Sequence, residues 1–196
     1  RSTLFPYTTL FRSYEHSFIW LKEAGVALPV YCVQEPQVPL LLSKATNLFK
    51  LFLSDVGLLA AMYADGLQIR ILNKENNINF GSVYENAVAQ ELCAHGFEVY
   101  YFNNKKQGEL DFVIEFEGEA LPLEVKSGKD YTKHRALNHV LESPNYHIQN
   151  AIVFCNENIE VKDQIFYCPI YMVGFLEKRT VPEDYIYTLD LSVLQD

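Results

Sequence analysis

The chain has 196 residues, of which 49% are hydrophobic and 14% aromatic. This composition suits one full domain with a sizeable core and excludes global disorder. The formal net charge of −9 argues against a protein that coats nucleic acid nonspecifically, although a local basic groove is compatible with it. Four scattered cysteines without a C-x-x-C pair predict reduced thiols in a cytosolic protein and no zinc site. The most apolar region, residues 38–62, is interrupted by Lys44, Lys50 and Asp55, so we expect no transmembrane helix.

Residues 1–13 are different from the rest of the chain. They read R-S-T-L-F-P-Y-T-T-L-F-R-S, with neither a helical nor a strand period and no initiator Met. The stretch is similar to translated adapter or vector sequence, so we interpret it as a non-native leader and expect few contacts from it. The missing Met also suggests that the chain is the C-terminal part of a longer protein.

The next segment has the pattern of a helix followed by a β-ribbon. Apolar residues at helical spacing predict a helix over residues 14–24, and two short strands follow over residues 29–33 and 38–42. This order is found at the end of a winged-helix unit. A plain α/β packing appendage would give the same pattern.

Residues 47–62 are ambiguous, because they fit either one helix or a strand over residues 49–53 with a helix from Val56. A polar connection leads from there to a clearer helix. Ser82 and Glu85 form an S-x-x-E capping box at its start. Glu85 also lies at the edge of the apolar stripe of this helix.

From Ser82 onward the predicted order of elements is αβββαβ, without an internal repeat or a flexible linker. The helix is followed by a strand, a basic turn, a β-hairpin, a second helix, a buried parallel strand, another strand and a short helix. These elements are predicted over residues 97–102, 103–108, 108–126, 132–142, 151–155, 164–168 and 170–176, in that order.

The hairpin carries the chemically informative residues. A two-residue loop at Glu117 and Gly118 makes directly opposed positions sum to 235. This register places Asp111 opposite Glu124, with Lys126 two residues further on the same face. Three pairs of apolar residues favour this register: Phe112 with Leu123, Ile114 with Leu121 and Leu110 with Val125.

Asp111 followed by E-V-K at Glu124 and Lys126, with Glu85 on the preceding helix, resembles the PD-(D/E)xK nuclease superfamily. The chemistry is also reasonable without the resemblance. Asp111 and Glu124 can hold Mg²⁺ through hard oxygen ligands, and the metal activates a bound water. Lys126 can stabilise developing negative charge, and Glu85 can complete the site.

Structural roles would also account for these residues. The capping box alone explains Glu85, and Asp111, Glu124 and Lys126 would fit a structural ion-pair network. Basic residues around the hairpin are candidates for contacts with nucleic-acid phosphates, or are ordinary solvated charges. They are Lys105, Lys106, Lys129, Lys133 and Arg135.

Four motifs in order extend the resemblance: F-K-L-F-L-S-D-V-G-L-L-A-A-M, G-S-V-Y-E-N-A-V-A-Q-E-L, E-L-D-F-V-I and L-E-V-K-S-G. Together they resemble the C-terminal domain of unknown function of AAA-type bacterial and archaeal ATPases, over roughly residues 14–175. The resemblance implies a strand over residues 47–55. It also implies a winged-helix remnant over residues 14–46 and an α/β restriction-endonuclease-like domain with a mixed central sheet over residues 47–196.

We therefore expect a nucleic-acid-processing accessory domain of an ATPase, acting as a Mg²⁺-dependent nuclease on DNA in the cytoplasm. Residues 125–129 lack the glycine spacing of a P-loop, so ATP would be bound only by a missing N-terminal ATPase domain. Two alternatives remain: a non-catalytic DNA-binding module, and a protein-interaction or regulatory module of the ATPase.

Overall fold

The chain folds as a mixed α/β structure around one sheet. The computed structural model describes residues 17–63, 66, 69–70, 73 and 80–178, so the expected leader at residues 1–13 lies outside the described residues. Residues 17–23 are helical. The strands and helices that follow are β1 (Ala27–Val33), β2 (Lys44–Leu53), α1 (Val56–Met62), α2 (Gly81–Ala94), β3 (Tyr100–Asn104), β4 (Gly108–Phe116), β5 (Glu119–Val125), α3 (Arg135–Leu141), β6 (Ala151–Cys155), β7 (Glu160–Lys162) and β8 (Ile165–Pro169), with 3-10 helices at Leu40–Ser43 and Ile170–Phe175.

Eight strands form the sheet in the order β2-β1-β3-β4-β5-β6-β8-β7. The pairs β1–β3, β5–β6 and β6–β8 are parallel and the other pairs are antiparallel. From α2 to β6 the order αβββαβ is as predicted, and the prediction of a mixed α/β fold is confirmed. None of the helices in the described ranges is long and apolar enough to cross a membrane.

Helices cover both faces of the sheet. Val88 of α2 and Phe112 of β4 belong to one buried apolar cluster, whereas Leu137 of α3 and Val113 of β4 belong to another. Because consecutive residues of a strand point to opposite faces, α2 and α3 pack on opposite sides of β4. The centre of the sheet is therefore buried on both faces.

From Phe112 to Phe116 the β4–β5 hairpin has the predicted register, with Phe112 opposite Leu123 and Ile114 opposite Leu121, but this ladder does not extend to the predicted pairs Asp111–Glu124 and Leu110–Val125. Its turn residues Glu117 and Gly118 have φ values of 51° and 85°. Positive φ at both positions matches the twist of two strands joined by a two-residue loop.

The ambiguity over residues 47–62 is decided in favour of a strand. β2 runs through this segment, and the Asp55 side chain then caps α1 by accepting a hydrogen bond from the Leu58 N–H at 2.8 Å. The single-helix alternative is wrong. β1 lies in the same sheet as β3, and β2 runs without a break across residue 46, where the predicted winged-helix remnant ends.

Several local predictions differ from the structure. Residues 38–42 do not form a strand, because Pro39 lacks the N–H that a ladder requires and Leu40–Ser43 closes into a 3-10 helix. The capping box is also wrong: α2 has Phe80 as its N-cap, without a side-chain cap, and the Ser82 hydroxyl lies 2.8 Å from the hydroxyl of Tyr63. The strand predicted over residues 97–102 is present as β3, but it begins and ends later, at Tyr100–Asn104. The helix predicted over residues 132–142 is the shorter α3, and residues 170–175 form a 3-10 helix.

Candidate functional site

A β-bulge precedes the site. β3 and β4 change register between Tyr100 and Phe102, so two residues of β4, Asp111 and Phe112, lie opposite Tyr101. One extra residue in a strand interrupts the strict alternation of side chains and re-aims the side chain at that point. The bulge therefore explains why the Asp111 side chain can depart from the regular alternation along β4.

The Asp111 carboxylate lies between the ends of two strands. The β4–β5 ladder ends at the pair Phe112–Leu123, so Asp111, the residue that precedes Phe112 in the chain, lies just beyond it. Beyond this point, the Val125 N–H donates a hydrogen bond to Asp111 Oδ2 at 2.8 Å instead of to a backbone carbonyl of β4. The Asp111 carboxylate is close enough to Glu124 to contribute to the raised pKa of its carboxyl group, so the two predicted metal ligands are neighbours.

Glu124 is buried, with 3% of its surface exposed. Burial raises the pKa of its carboxyl group and the nearby charge of Asp111 raises it further, whereas Lys126 opposes both effects. Lys126 Nζ lies 2.8 Å from Glu124 Oε2 and keeps 28% of its side chain exposed. Burial acts to lower the pKa of Lys126, but Glu124 and Asp111 outweigh it and raise that pKa. The three hairpin residues therefore form one electrostatic unit, in which Glu124 is buried and Asp111 and Lys126 are half-buried.

Two amides on α2 fix this helix against β2 and α1. The Asn86 side chain bonds both backbone groups of Leu53, accepting from its N–H at 2.8 Å and donating to its carbonyl at 2.9 Å. Gln90 Oε1 accepts a hydrogen bond from the Val56 N–H at 2.8 Å. Because Asn86 is buried and adjacent to Glu85, these two hydrogen bonds fix the part of α2 that carries Glu85.

Glu85 belongs to the same electrostatic cluster as the hairpin residues. Burial raises the pKa of its carboxyl group to about 7, with a further upward contribution from Asp111 and an opposing one from Lys50. Glu85 also contributes to the raised pKa of Lys126. The structure thus joins Asp111, Glu124 and Lys126 at the end of the hairpin, and Glu85 on α2 is near enough for its charge to interact with those of Asp111 and Lys126.

A second ion pair, between a buried lysine and a half-buried glutamate, was missed by sequence reasoning. Lys50 on β2 is 1% exposed and pairs with Glu109, and its Nζ lies 4.8 Å from the centre of the Tyr101 ring. Asn103 Nδ2 donates a hydrogen bond to Glu109 at 2.8 Å. In the sequence, Lys50 served only as a charge that interrupts an apolar region. The isolated lysine within F-K-L-F-L was the available signal, because a lysine is almost never fully buried unless it is paired.

The donor set suits a hard cation with few protein ligands. In the described parts of the chain, no group of three or more His, Cys, Asp or Glu side chains is arranged to hold a metal ion. Asp111 and Glu124 offer two neighbouring carboxyl groups, and Mg²⁺ is commonly held by one or two carboxylates with waters completing its shell. Besides burial, repulsion by Asp111 raises the pKa of Glu124, and a bound cation would relieve that repulsion. These residues therefore fit Mg²⁺.

The predicted nucleic-acid-binding residues lie in two loops and at the start of α3. β4 is antiparallel to β5, so the loop before β4 and the loop after β5 leave the sheet at the same end, where Asp111 and Lys126 also lie. Lys133 forms an exposed ion pair with Asp130 at 2.8 Å. All five predicted basic residues of these loops and of the start of α3 are exposed: Lys105, Lys106, Lys129, Lys133 and Arg135.

Residues 80–173 match the family model described as a domain of unknown function (DUF4143). The matched segment contains Glu85, Asp111, Glu124 and Lys126, whereas Lys50 precedes it. No curated protein and no solved structure matches the chain.

Proposed function

We propose that this chain is a nucleic-acid-processing accessory domain of an AAA-type ATPase, and that it cleaves phosphodiester bonds in DNA with Mg²⁺. The observation that supports this most is the convergence of Asp111, Glu124 and Lys126 at the end of the β4–β5 hairpin, with Glu85 beside them. The αβββαβ core would be restriction-endonuclease-like, behind a winged-helix remnant at residues 14–46. ATP would be used by an N-terminal domain of the longer protein.

Each residue has a role that follows from its surroundings. Asp111 and Glu124 would hold Mg²⁺, which when bound lowers the pKa of a coordinated water and polarises a phosphodiester. The partly exposed Lys126 ammonium is accessible to a phosphate and would stabilise the negative charge that develops on it. Glu85 would assist from α2. The exposed basic residues of the two neighbouring loops would hold the DNA backbone.

A second candidate is a module of the ATPase that binds a partner protein or DNA without catalysis. Two observations favour it: the net charge of −9, and the Lys126–Glu124 ion pair, which already neutralises one carboxylate of the site. In this case the buried cluster would be structural, and metal would have little effect on it.

Cleavage of plasmid and single-stranded DNA should be measured with Mg²⁺, Mn²⁺ or EDTA. The proposal predicts cleavage with either metal and none with EDTA. Asp111→Asn should abolish it, because one of only two protein ligands loses its charge. Lys162→Met is a matched control, since this lysine forms an exposed pair with Glu160 on the edge strand β7. Absence of metal-dependent cleavage together with absence of metal-induced stabilisation would leave the non-catalytic module.

A further inference from the structure

The turn between β3 and β4 carries two exposed lysines and one anchored residue. The strand register pairs Asn104 with Gly108, so the turn consists of Lys105, Lys106 and Gln107. Within it, the Asn104 side chain accepts a hydrogen bond from the Lys106 N–H at 2.9 Å. The two lysines are exposed, whereas Gln107 is half-buried. The third residue of the turn therefore faces the protein while the two cations face solvent.

Gln107 is bonded to α3 and to the segment that follows this helix. Its backbone carbonyl accepts a hydrogen bond from His139 Nδ1 at 3.2 Å, and its Oε1 accepts one from the Tyr146 hydroxyl at 2.8 Å. The Tyr146 ring packs edge-on against Phe102 of β3, with the ring centres 6.0 Å apart. Because Tyr146 is held by this packing, its hydroxyl is a fixed support for the Gln107 side chain.

The backbone of the turn also lies directly against α3. Gly108 has a φ of 102°, and a Cβ on it would lie 2.8 Å from the Cβ of Ala136, the residue after Arg135. Among the described residues, no carboxylate forms an ion pair with Lys105, Lys106 or Arg135. Holding unpaired like charges near one another opposes folding, whereas it favours binding of an anionic partner.

We propose that Gln107 is a positioning residue for DNA: its bonds to His139 and Tyr146 hold Lys105 and Lys106 beside Arg135 as one phosphate-binding surface. The identity of the ligand rests on the proposed function. Asp111 follows Gly108 by three residues, about 10 Å along the strand at ~3.3 Å per residue. This length equals roughly three nucleotides at ~3.4 Å each, so the surface would contact the backbone a few nucleotides from the cleaved phosphate.

The test counts phosphate contacts from the salt dependence of DNA binding. Binding of a short labelled duplex is measured by fluorescence anisotropy in EDTA, which prevents cleavage, at several NaCl concentrations. The slope of log affinity against log salt should fall by about 2 in Lys105→Gln/Lys106→Gln, because two phosphate contacts are lost. Tyr146→Phe and Gln107→Met change no charge, yet each should lower the slope by roughly 1, because the lysines are no longer held in place.

Gln149→Met is the matched control, since Gln149 donates an exposed hydrogen bond to Glu119 at the opposite end of the hairpin. It should leave the slope unchanged. If the bond between Gln107 and Tyr146 is merely structural, Tyr146→Phe and Gln107→Met lower Tm but keep the wild-type slope, and the inference is overturned. In the Lys105→Gln/Lys106→Gln background, Tyr146→Phe should not change the slope further, and an additive decrease also overturns the inference.

The same assay separates this inference from the proposed function. If wild type binds DNA and the variants behave as expected, but Mg²⁺ supports no cleavage, the nuclease is excluded and the positioning by Gln107 stands. If wild type binds and cleaves DNA while Tyr146→Phe and Gln107→Met keep its slope, only the inference fails. If wild type does not bind DNA, both fail.

Discussion

The Asp111 carboxylate accepts the Val125 N–H across the end of the β4–β5 hairpin, at 2.8 Å. In a regular continuation of the ladder, that N–H would bond a backbone carbonyl of β4. A side chain has therefore replaced a backbone group at the point where the two strands separate. One consequence is that Asp111 has a structural and a proposed metal-binding role at the same time, and substitutions can separate them.

Asp111→Asn and Asp111→Ala should differ in stability but not in function. Asparagine keeps an acceptor for the Val125 N–H, whereas alanine leaves this donor without its partner and costs about 1–3 kcal/mol more. Both variants should lose Mg²⁺-induced stabilisation. Chemical denaturation with and without Mg²⁺ measures both effects, and equal stability of the two variants would show that the hydrogen bond contributes little.

Lys126→Ala should lower Tm in the absence of metal, because Glu124 and Asp111 then face each other without their counter-ion. Under the proposed function, Mg²⁺ restores most of the lost stability, while cleavage stays slow because Lys126 acts on the transition state. Thermal scans and cleavage assays with and without Mg²⁺ give both readouts. A destabilised variant that Mg²⁺ does not rescue would support a purely structural cluster.

Glu85 should make the metal-free protein less stable as pH rises. Its folded-state pKa of about 7 is above the ordinary value of 4.5, so between these pH values the folded state binds more protons than the unfolded state. The associated stability is complete below pH 4.5 and is lost as pH rises through 7. It amounts to at most roughly 3 kcal/mol, at about 1.4 kcal/mol per pKa unit, and partial exposure reduces it.

Glu85→Gln should therefore flatten the dependence of the unfolding free energy on pH in this window. Some dependence remains, because the pKa of Glu124 is also raised. Glu160→Gln, in an exposed ion pair, is the matched control and should leave the slope unchanged. Denaturant titrations at several pH values test this. An unchanged slope in Glu85→Gln would show that the pKa of this carboxyl group is not raised in the folded state.

Asn86→Ala should be the most destabilising of these single substitutions, by roughly 2–4 kcal/mol. It removes two hydrogen bonds to Leu53 and leaves both backbone groups without their partner in a largely buried place. Gln90→Ala, which removes the one bond to Val56, should cost less. Urea unfolding ranks the two variants, and a reversed order would show that α2 is held mainly by apolar packing.

Local patterns explain why the hairpin could be predicted. Alternating apolar residues and a two-residue loop favour the register that pairs Phe112 with Leu123 and Ile114 with Leu121, and Asp111 and Glu124 follow just beyond those pairs. The start of α2 could not be predicted in this way. Ser82 and Glu85 match a capping box, but Tyr63 binds the serine hydroxyl and the cluster surrounds the glutamate, so tertiary contacts outweighed the local motif.

The sequence by itself determined the αβββαβ order and the pairing of β4 with β5, because both depend on residues that are close along the chain. Only the tertiary structure decided that β1 joins β3 and that Lys50 pairs with Glu109. These relations join segments separated by tens of residues. No local period encodes them, since they arise from packing and from the need of buried charges to find partners.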